Sequence, residues 1–529
     1  MKNSAKKTPK SVFLCAAISG ILMCLSFTFD WLWPLCFFAL VPMLTALFYQ
    51  NDRKFGIQKS IFLYIFCYYV PMMLWLYSLY PLTRYGIGNV LSAVLLTLGI
   101  LAIAAIEGLI FVIAFLPYQA LRRSAIPLPI TFALLYVFAE FLQAVAGEFS
   151  FPWGRLGTLV CSFTPFIQSA SLFGTLFLSL LIVLINGLLA YAIVFLIRKT
   201  RYIKPIGSLL AAVLLFSANI GYGYYRIHTA TQPQQTIRVA VVQGNLGSIK
   251  KWDTTLSETL STYNTLTRQA LENFDADLVL WPETAVPIYS DNPAVALVKE
   301  TAQQTQTIIA TGIFTRDTDN PDVEYNSLVA FYPDGRQSEP YSKQKLVPMG
   351  EYIPFSDWID ALRIQTPYLQ PGTTTTLSLD EWQAGGLICY ESIYPQVARQ
   401  AVLDGAEFFL MPSNDSWFGS TPALRQHLAH AQLRCVENGR YMARAGNTGI
   451  SATITPLGTI QKTIDADTAA TLTDTIGVCQ ELTLYTQIGD VIVLPCAALF
   501  AVGWIMMLIR ALQKRKKCRI NQSSETEQR

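Results

Sequence analysis

The sequence predicts a polytopic α-helical membrane domain carrying an α/β domain. Three observations lead there. The 529-residue chain is 52% hydrophobic and only 14% charged, too apolar for an ordinary soluble protein. Eight stretches, near 11–28, 33–50, 60–79, 88–117, 127–146, 166–197, 206–224 and 487–509, approach the ~20 apolar residues that cross a bilayer. One long segment, about 225–486, has no such stretch and alternates strand-like with helix-like runs.

The first stretch follows Lys2, Lys6, Lys7 and Lys10 as a signal peptide would. No small-residue cleavage site succeeds it and further spans come directly after, so it reads as an uncleaved helix. The stretches 88–117 and 166–197 are longer than one crossing needs and are expected to tilt, to extend past the bilayer or to include an interfacial turn. Basic residues cluster on alternate sides. The N-terminal lysines, Arg53, Lys54, Lys59, Arg122, Arg123, Arg198, Lys199, Arg201, Lys204 and the tail "RALQKRKKCR" share one face, and the short loops of the other hold only Arg84 and Arg155. Positive charge stays cytoplasmic, which places both termini inside and 225–486 outside, periplasmic in a bacterium with two membranes. The expected division is a domain of seven helices over 1–224, a catalytic-sized domain over 225–486, an eighth helix over 487–510 and a basic cytoplasmic tail over 511–529. Directly after an apolar span, "KRKK" orients the helix rather than binding nucleic acid, and a net charge of +3 gives no footprint for such a partner.

Ten cysteines are scattered without a C-x-x-C pair, and Cys15, Cys24, Cys36, Cys67 and Cys496 lie in apolar runs, where they act as small hydrophobes. Three histidines, His228, His427 and His430, make a histidine-rich metal centre improbable. No metal or cofactor is expected.

Within 225–486 the strand-like runs are "IRVAVVQGN", "ADLVLWPET", "TIIATGIF", "NSLVAFY", "GGLICYE", "AEFFLMPSND" and "SATITP". Several are continuously apolar, as strands covered on both faces are. Helix-like stretches occupy 254–273, 294–305, 393–404 and 423–440. Three polar stations follow apolar runs: Glu283 in "WPET", Lys343, Lys345 and Glu351 in "YSKQKLVPMGEYIP", and Cys389 in "GGLICYES". Singly each has a bland reading, as a salt-bridged carboxylate, a solvated lysine or an inert thiol. Together they are a base, an oxyanion-stabilising cation and a nucleophile, the machinery of acyl transfer. The apolar bulk of Trp281-Pro282 is expected to raise the pKa of Glu283. Gly385 and Gly386 are expected to permit close backbone approach, and "LIC" to carry a strand to its end at Cys389.

The ordered set Glu283, Lys343, Cys389 resembles the Glu-Lys-Cys triad of the nitrilase (carbon-nitrogen hydrolase) superfamily. The segments "VVQGN", "LVPMGEYIP", "SNDSWFG", "QHLAHAQLR", "GNTGIS" and "FPWGRLG" at 151–157, with the flanking spans, are similar to its membrane-embedded branch, the apolipoprotein N-acyltransferases. That resemblance implies an αββα sandwich, Cys389 as nucleophile, Glu283 as general base and Lys343 at the oxyanion, with Trp252, Glu351, Tyr390 and Glu391 in support. Trp417 and Phe418, beside a cleft facing the bilayer, are core aromatics or lipid contacts. It also implies a two-step transfer of a fatty acyl chain from a membrane phospholipid, through a thioester, to the N-terminal amine of an S-diacylglyceryl-cysteine apolipoprotein. A membrane-anchored amidase with water as acceptor is the alternative. A transporter or lipid-binding protein without catalysis is a second, disfavoured because all three triad positions are filled. A monomer is expected. Lys345, two residues from Lys343 on an extended segment, faces the same way, and only the motif's register prefers Lys343. Met349 stands where the family pattern has an aromatic residue and is expected to alter packing beside Glu351. Cys435 stands at a position often small and apolar. His427 and His430 are expected to pack or hydrogen-bond, and 355–376 to form either a lid or an ordered loop.

Overall fold

The structure, a computed structural model, describes residues 10–50, 56–247, 255–354, 369–419 and 421–527. Among them eight helices are long and apolar enough to cross a membrane: Lys10–Thr28, Asp30–Tyr49, Ile57–Leu79, Asn89–Leu121, Leu128–Val145, Thr175–Ile197, Ile203–Thr229 and Val493–Arg515. Two of them start later than their apolar stretches. Residues 166–173 fall mostly into short helices, Thr164–Ile167 and Ala170–Phe173, and Gly174 with φ +76° turns the chain into the sixth span. The eighth span follows a separate turn, Leu484–Ile488, which Gly489 ends at φ +67°. Side chains resist both conformations and glycine does not. The second span begins as a 3₁₀ helix, Asp30–Phe37, and resumes as an α-helix, Val41–Tyr49. Asn186 satisfies the backbone at this break, accepting from Leu40 N–H (2.9 Å) and donating to the Cys36 carbonyl (2.8 Å), as backbone in a water-free interior requires.

The strands are β1 (Gln235–Gln243), β2 (Leu278–Leu280), β3 (Val286–Tyr289), β4 (Ile308–Arg316), β5 (Glu324–Phe331), β6 (Tyr341–Ser342), β7 (Thr376–Leu379), β8 (Trp382–Gly386), β9 (Phe408–Ser413), β10 (Met442–Gly446), β11 (Ser451–Ile454), β12 (Ile460–Ile464) and β13 (Ala470–Val478). One sheet runs β13-β1-β2-β4-β5-β6 with β3 beside β4, and the other β12-β11-β10-β9-β8-β7. The four predicted helices are present as α1 (Leu256–Leu271), α2 (Ala296–Thr305), α3 (Pro395–Leu403) and α4 (Ala423–Asn438).

Side-chain alternation explains the continuously apolar strands. Val239, Val241, Leu278 and Leu280 meet Phe408, Leu410, Ala443 and Ala445 between the sheets. Their neighbours Ala240, Val242 and Val279 face outward against Leu260 and Val298 of α1 and α2. On the second sheet Phe409, Met411 and Met442 face outward into a cluster with Val397 of α3 and Leu433 and Val436 of α4. This is an αββα sandwich, and its second helical layer is not exposed. The same cluster continues without a break into the membrane domain through Trp153, Leu156, Phe166 and Leu178, and Cys435 is buried within it.

Polar contacts fix this seam. Gln426 accepts from Trp153 Nε1 (2.8 Å), and His430 Nε2 meets the Trp153 carbonyl (3.0 Å). Glu437 accepts from the backbone N–H (2.8 Å) and hydroxyl (2.5 Å) of Thr175, the first residue of the sixth span, and pairs with Arg434 at 2.7 Å. Glu437→Ala removes the acceptor and leaves Arg434 buried without its carboxylate, which should cost about 3–5 kcal/mol. Thermal denaturation in detergent should show a drop of that order, with a smaller one for Glu437→Gln.

Candidate active site

Glu283 follows β2 on a backbone that crosses close to β4. A Cβ on Gly312 would lie 2.6 Å from Glu283 Cα, so glycine is needed there. The Trp281 indole donates to Thr267 Oγ1 of α1, and Glu283 faces the other way. Its Oε1 accepts from Lys343 Nζ (2.8 Å) and Asn326 Nδ2 (2.7 Å), and its Oε2 from the Asn414 N–H (2.9 Å). Burial alone would raise this carboxyl, as the Trp-Pro context suggested. The Lys343 charge and these hydrogen bonds outweigh it, and the pKa is held below the ordinary value. Glu283 is a carboxylate at rest, so the expected upward shift is corrected.

Lys343 follows the two-residue strand β6, where the chain leaves the sheet and strict alternation ends. Its ammonium is 1% exposed and also pairs with Glu351 Oε1 at 2.9 Å. Burial pulls its pKa down, but Glu283, Glu351 and Cys389 prevail and raise it. Lys345 is exposed, its Nζ 5.6 Å from the centre of the Tyr394 ring. The two lysines therefore do not share a face, and Lys343, not Lys345, is the one that lies against Glu283 and Glu351. Glu351 also accepts from Asn326 Nδ2 (2.7 Å) and Val347 N–H (2.7 Å). Met349 is 77% exposed at φ +63°, so its side chain points outward instead of packing beside Glu351.

Cys389 does not end a strand. β8 stops at Gly386, and Cys389 opens a 3₁₀ turn, Cys389–Ile393, with φ +52°. A non-glycine residue held there stores on the order of 1–3 kcal/mol. Glu391 ties the turn down, accepting from Ile388 N–H (2.6 Å), Gln344 N–H (2.6 Å), Lys345 N–H (3.3 Å) and Tyr341 Oη (2.8 Å). One carboxylate thus joins the cysteine turn to the lysine segment. The glycines before it make room for rings rather than for backbone: a Cβ on Gly386 would lie 2.3 Å from the Tyr341 ring, and one on Gly385 2.8 Å from Phe409. Burial raises the Cys389 thiol well above its usual value; Glu283 and Asp415 push the same way, and Lys343 opposes them. The proton rests on sulfur beside an ionised Glu283.

The Tyr390 and Tyr394 hydroxyls donate to the Ser150 carbonyl of the membrane domain at 3.5 and 2.9 Å. Trp417 is 41% exposed, and its carbonyl accepts from Ser78 Oγ (2.5 Å) of the third span. Phe418 is buried between Trp75 and Trp153. Trp252 and residues 355–368 of the segment expected to form a lid or loop lie outside the described residues. Sequence reasoning passed over Asn326, Asn414, Asp415 and Arg444, while His427, expected to pack or hydrogen-bond, does both, against Trp153 and toward Asp415 and the Cys389 carbonyl. Asn326 looked like the polar start of a strand, and the other partnerships are tertiary. Cys389, Asp415 and His427 offer ligand atoms within 4.8 Å of one another. Those of Asp415 and His427 are committed: Asp415 binds Arg444 (2.5 Å) and Ser413 (2.6 Å), and both His427 nitrogens face protein oxygens. A guanidinium on the carboxylate suits a cation poorly.

Residues 238–481 match the carbon-nitrogen hydrolase family, and residues 19–188 match the apolipoprotein N-acyltransferase N-terminal domain. The chain is 30% identical to the apolipoprotein N-acyltransferase of Geobacter metallireducens over 505 residues, 93% of this chain and 95% of that protein. It is 32% identical to that of Azotobacter vinelandii over 520 residues, 94% and 95% of the two. A solved Saccharomyces cerevisiae structure from the nitrilase superfamily is 19% identical with a TM-score of 0.38, covering 50% of this chain and 98% of its own.

Lys343→Met strands the buried Glu283 carboxylate and the partly buried Glu351 and should cost about 3–5 kcal/mol. Lys345→Ala should stay within ~0.5 kcal/mol, the two being compared by thermal denaturation. Since the thiol pKa is raised, iodoacetamide should label Cys389 slowly at pH 7 and ever faster as pH rises. Peptide mass spectrometry follows this, and a plateau below pH 8 would contradict the assignment.

Proposed function

The chain belongs to the apolipoprotein N-acyltransferase family, and from that premise we propose that Cys389, Glu283 and Lys343 carry a fatty acyl group from a membrane phospholipid to the N-terminal amine of a diacylated apolipoprotein. The observation that carries this reading is the buried Glu283–Lys343 pair, braced by Glu351 and acting on Cys389, in a domain whose outer layer is continuous with the membrane domain.

In the first step Cys389 Sγ attacks the ester carbonyl and Glu283 takes the thiol proton. With a protonated thiol and a stabilised carboxylate, this transfer is uphill at rest. It becomes favourable as the C–S bond forms and charge moves from sulfur to the carbonyl oxygen. Lys343 has three N–H donors, and two are used on Glu283 and Glu351, which leaves one for that oxygen. Among the described residues the Tyr390 N–H has no acceptor, so it offers a second donor beside the nucleophile. Collapse breaks the C–O bond, Glu283 protonates the departing lysophospholipid oxygen, and a thioester remains. In the second step the neutral α-amine of the S-diacylglyceryl cysteine attacks the thioester. Glu283 accepts an amine proton and returns it to sulfur as the C–S bond breaks.

Both substrates keep their chains in the bilayer, because each methylene withdrawn costs about 0.8 kcal/mol. The seam at Ser150 and Trp153 brings the cysteine turn to them. Loop charges favour a periplasmic catalytic domain with both termini cytoplasmic.

Incubated with phospholipid, the purified protein should gain one fatty acyl mass on Cys389. Hydroxylamine should remove it, and Cys389→Ala should lack it, by intact mass spectrometry. Added diacylated lipopeptide should then be acylated on its amine. Release of free fatty acid with no acylated peptide would favour water as acceptor and defeat the proposal.

A further inference from the structure

The Cys389 turn has a second support that the acyl-transfer scheme does not use. The Cys389 carbonyl is met by His427 Nε2 at 3.0 Å, and His427 Nδ1 lies 3.0 Å from Asp415 Oδ1. Asp415 is in turn gripped by Arg444 at 2.5 Å and by the Ser413 hydroxyl at 2.6 Å. All three side chains are fully buried. The imidazole stacks at 5.9 Å on Trp153 of the membrane domain, and the Phe418 ring meets it edge-on at 5.5 Å. His427 has almost no rotational freedom, and it sits on α4, which Gln426, His430 and Glu437 bind to the membrane domain. Arg434, on the same helix, donates to the Ser392 carbonyl of the same turn (3.2 Å).

The carbonyl and N–H of one trans peptide point in opposite directions. A donor holding the Cys389 carbonyl towards α4 therefore turns the Tyr390 N–H away from α4, and that N–H is the second donor that the proposed acyl transfer offers to the substrate carbonyl. The φ of +52° at Cys389 is a conformation the backbone leaves readily unless it is held.

We propose that His427 is a positioning residue: through the Cys389 carbonyl it orients the Cys389–Tyr390 peptide, and it transmits the docking of α4 on the membrane domain to the nucleophile. This rests on the reading of Cys389 as the acyl carrier.

The test compares two polar replacements in the full-length protein in detergent. His427→Gln reaches the place of Nε2 and can still donate to the carbonyl. His427→Asn reaches only the place of Nδ1, beside Asp415. Single-turnover adduct formation from phospholipid is measured over a range of phospholipid concentrations, with thermal unfolding alongside. The Asn variant should lose about 10–100-fold in the saturating acylation rate with little change in the half-saturating phospholipid concentration. The Gln variant should stay within about 5-fold of the unsubstituted protein while both variants unfold at similar temperatures. Equal rates for the two variants, whether both intact or both lost, would overturn the proposal, as would losses that track unfolding temperature. Absence of any adduct on the unsubstituted protein would instead overturn the reading of Cys389 itself.

Discussion

A buried ammonium between a buried carboxylate, Glu283, and a partly buried one, Glu351, organises this site. Removing Lys343, Glu283 and Glu351 from water costs several kcal/mol per ion, and the cluster persists only because nearly every lone pair has a donor. Asn326 bridges both carboxylates, and the Asn414 and Val347 amides complete them. These donors come from β5, from the end of β9 and from the segment after β6, so satisfying the charges draws together loops from both sheets. The chemistry follows from the same pairing. In the proposed transfer, an ionised Glu283 beside a protonated thiol is the base that takes its proton, and the two Lys343 protons committed to Glu283 and Glu351 hold the third in place without reorganisation.

The second constraint is the shared core. An ordinary sandwich presents its outer helices to solvent; here α3, α4 and the outward face of β9 and β10 belong to one apolar cluster with the membrane domain. α4 is therefore buried on opposite sides, which is why a sixteen-residue helix carries Gln426, His427, His430, Arg434 and Glu437 as buried polar residues. Each needs a partner, and those partners are the Cys389 turn on one side and Trp153 and Thr175 on the other.

Much of this was legible in the sequence. Continuous apolarity marked the spans and the central strands, and chain order with motif register marked Glu283, Lys343 and Cys389. Strands β12 and β13 were not legible, because "IQKTI" and "ATLTDTIGV" are half-exposed and threonine-rich and offer no apolar run. β10 escaped because small residues and a buried Arg444 interrupt it. The state of Glu283 was misjudged from its neighbours Trp281 and Pro282, since the charge that decides it arrives 60 residues later. The left-handed turn at Cys389 left no local mark, because it is held by Glu391 and α4 and not by a glycine.

The central claim is that the acylated cysteine faces the bilayer across the α4 seam. The most direct measurement is an experimental structure of the protein trapped after incubation with phospholipid and without acceptor. Density should run from Cys389 Sγ past Tyr390 and the Trp153–Phe418 rings into the membrane domain. A chain running instead across the sandwich to its solvent side, or an unmodified Cys389 in protein that still transfers acyl groups, would contradict the account.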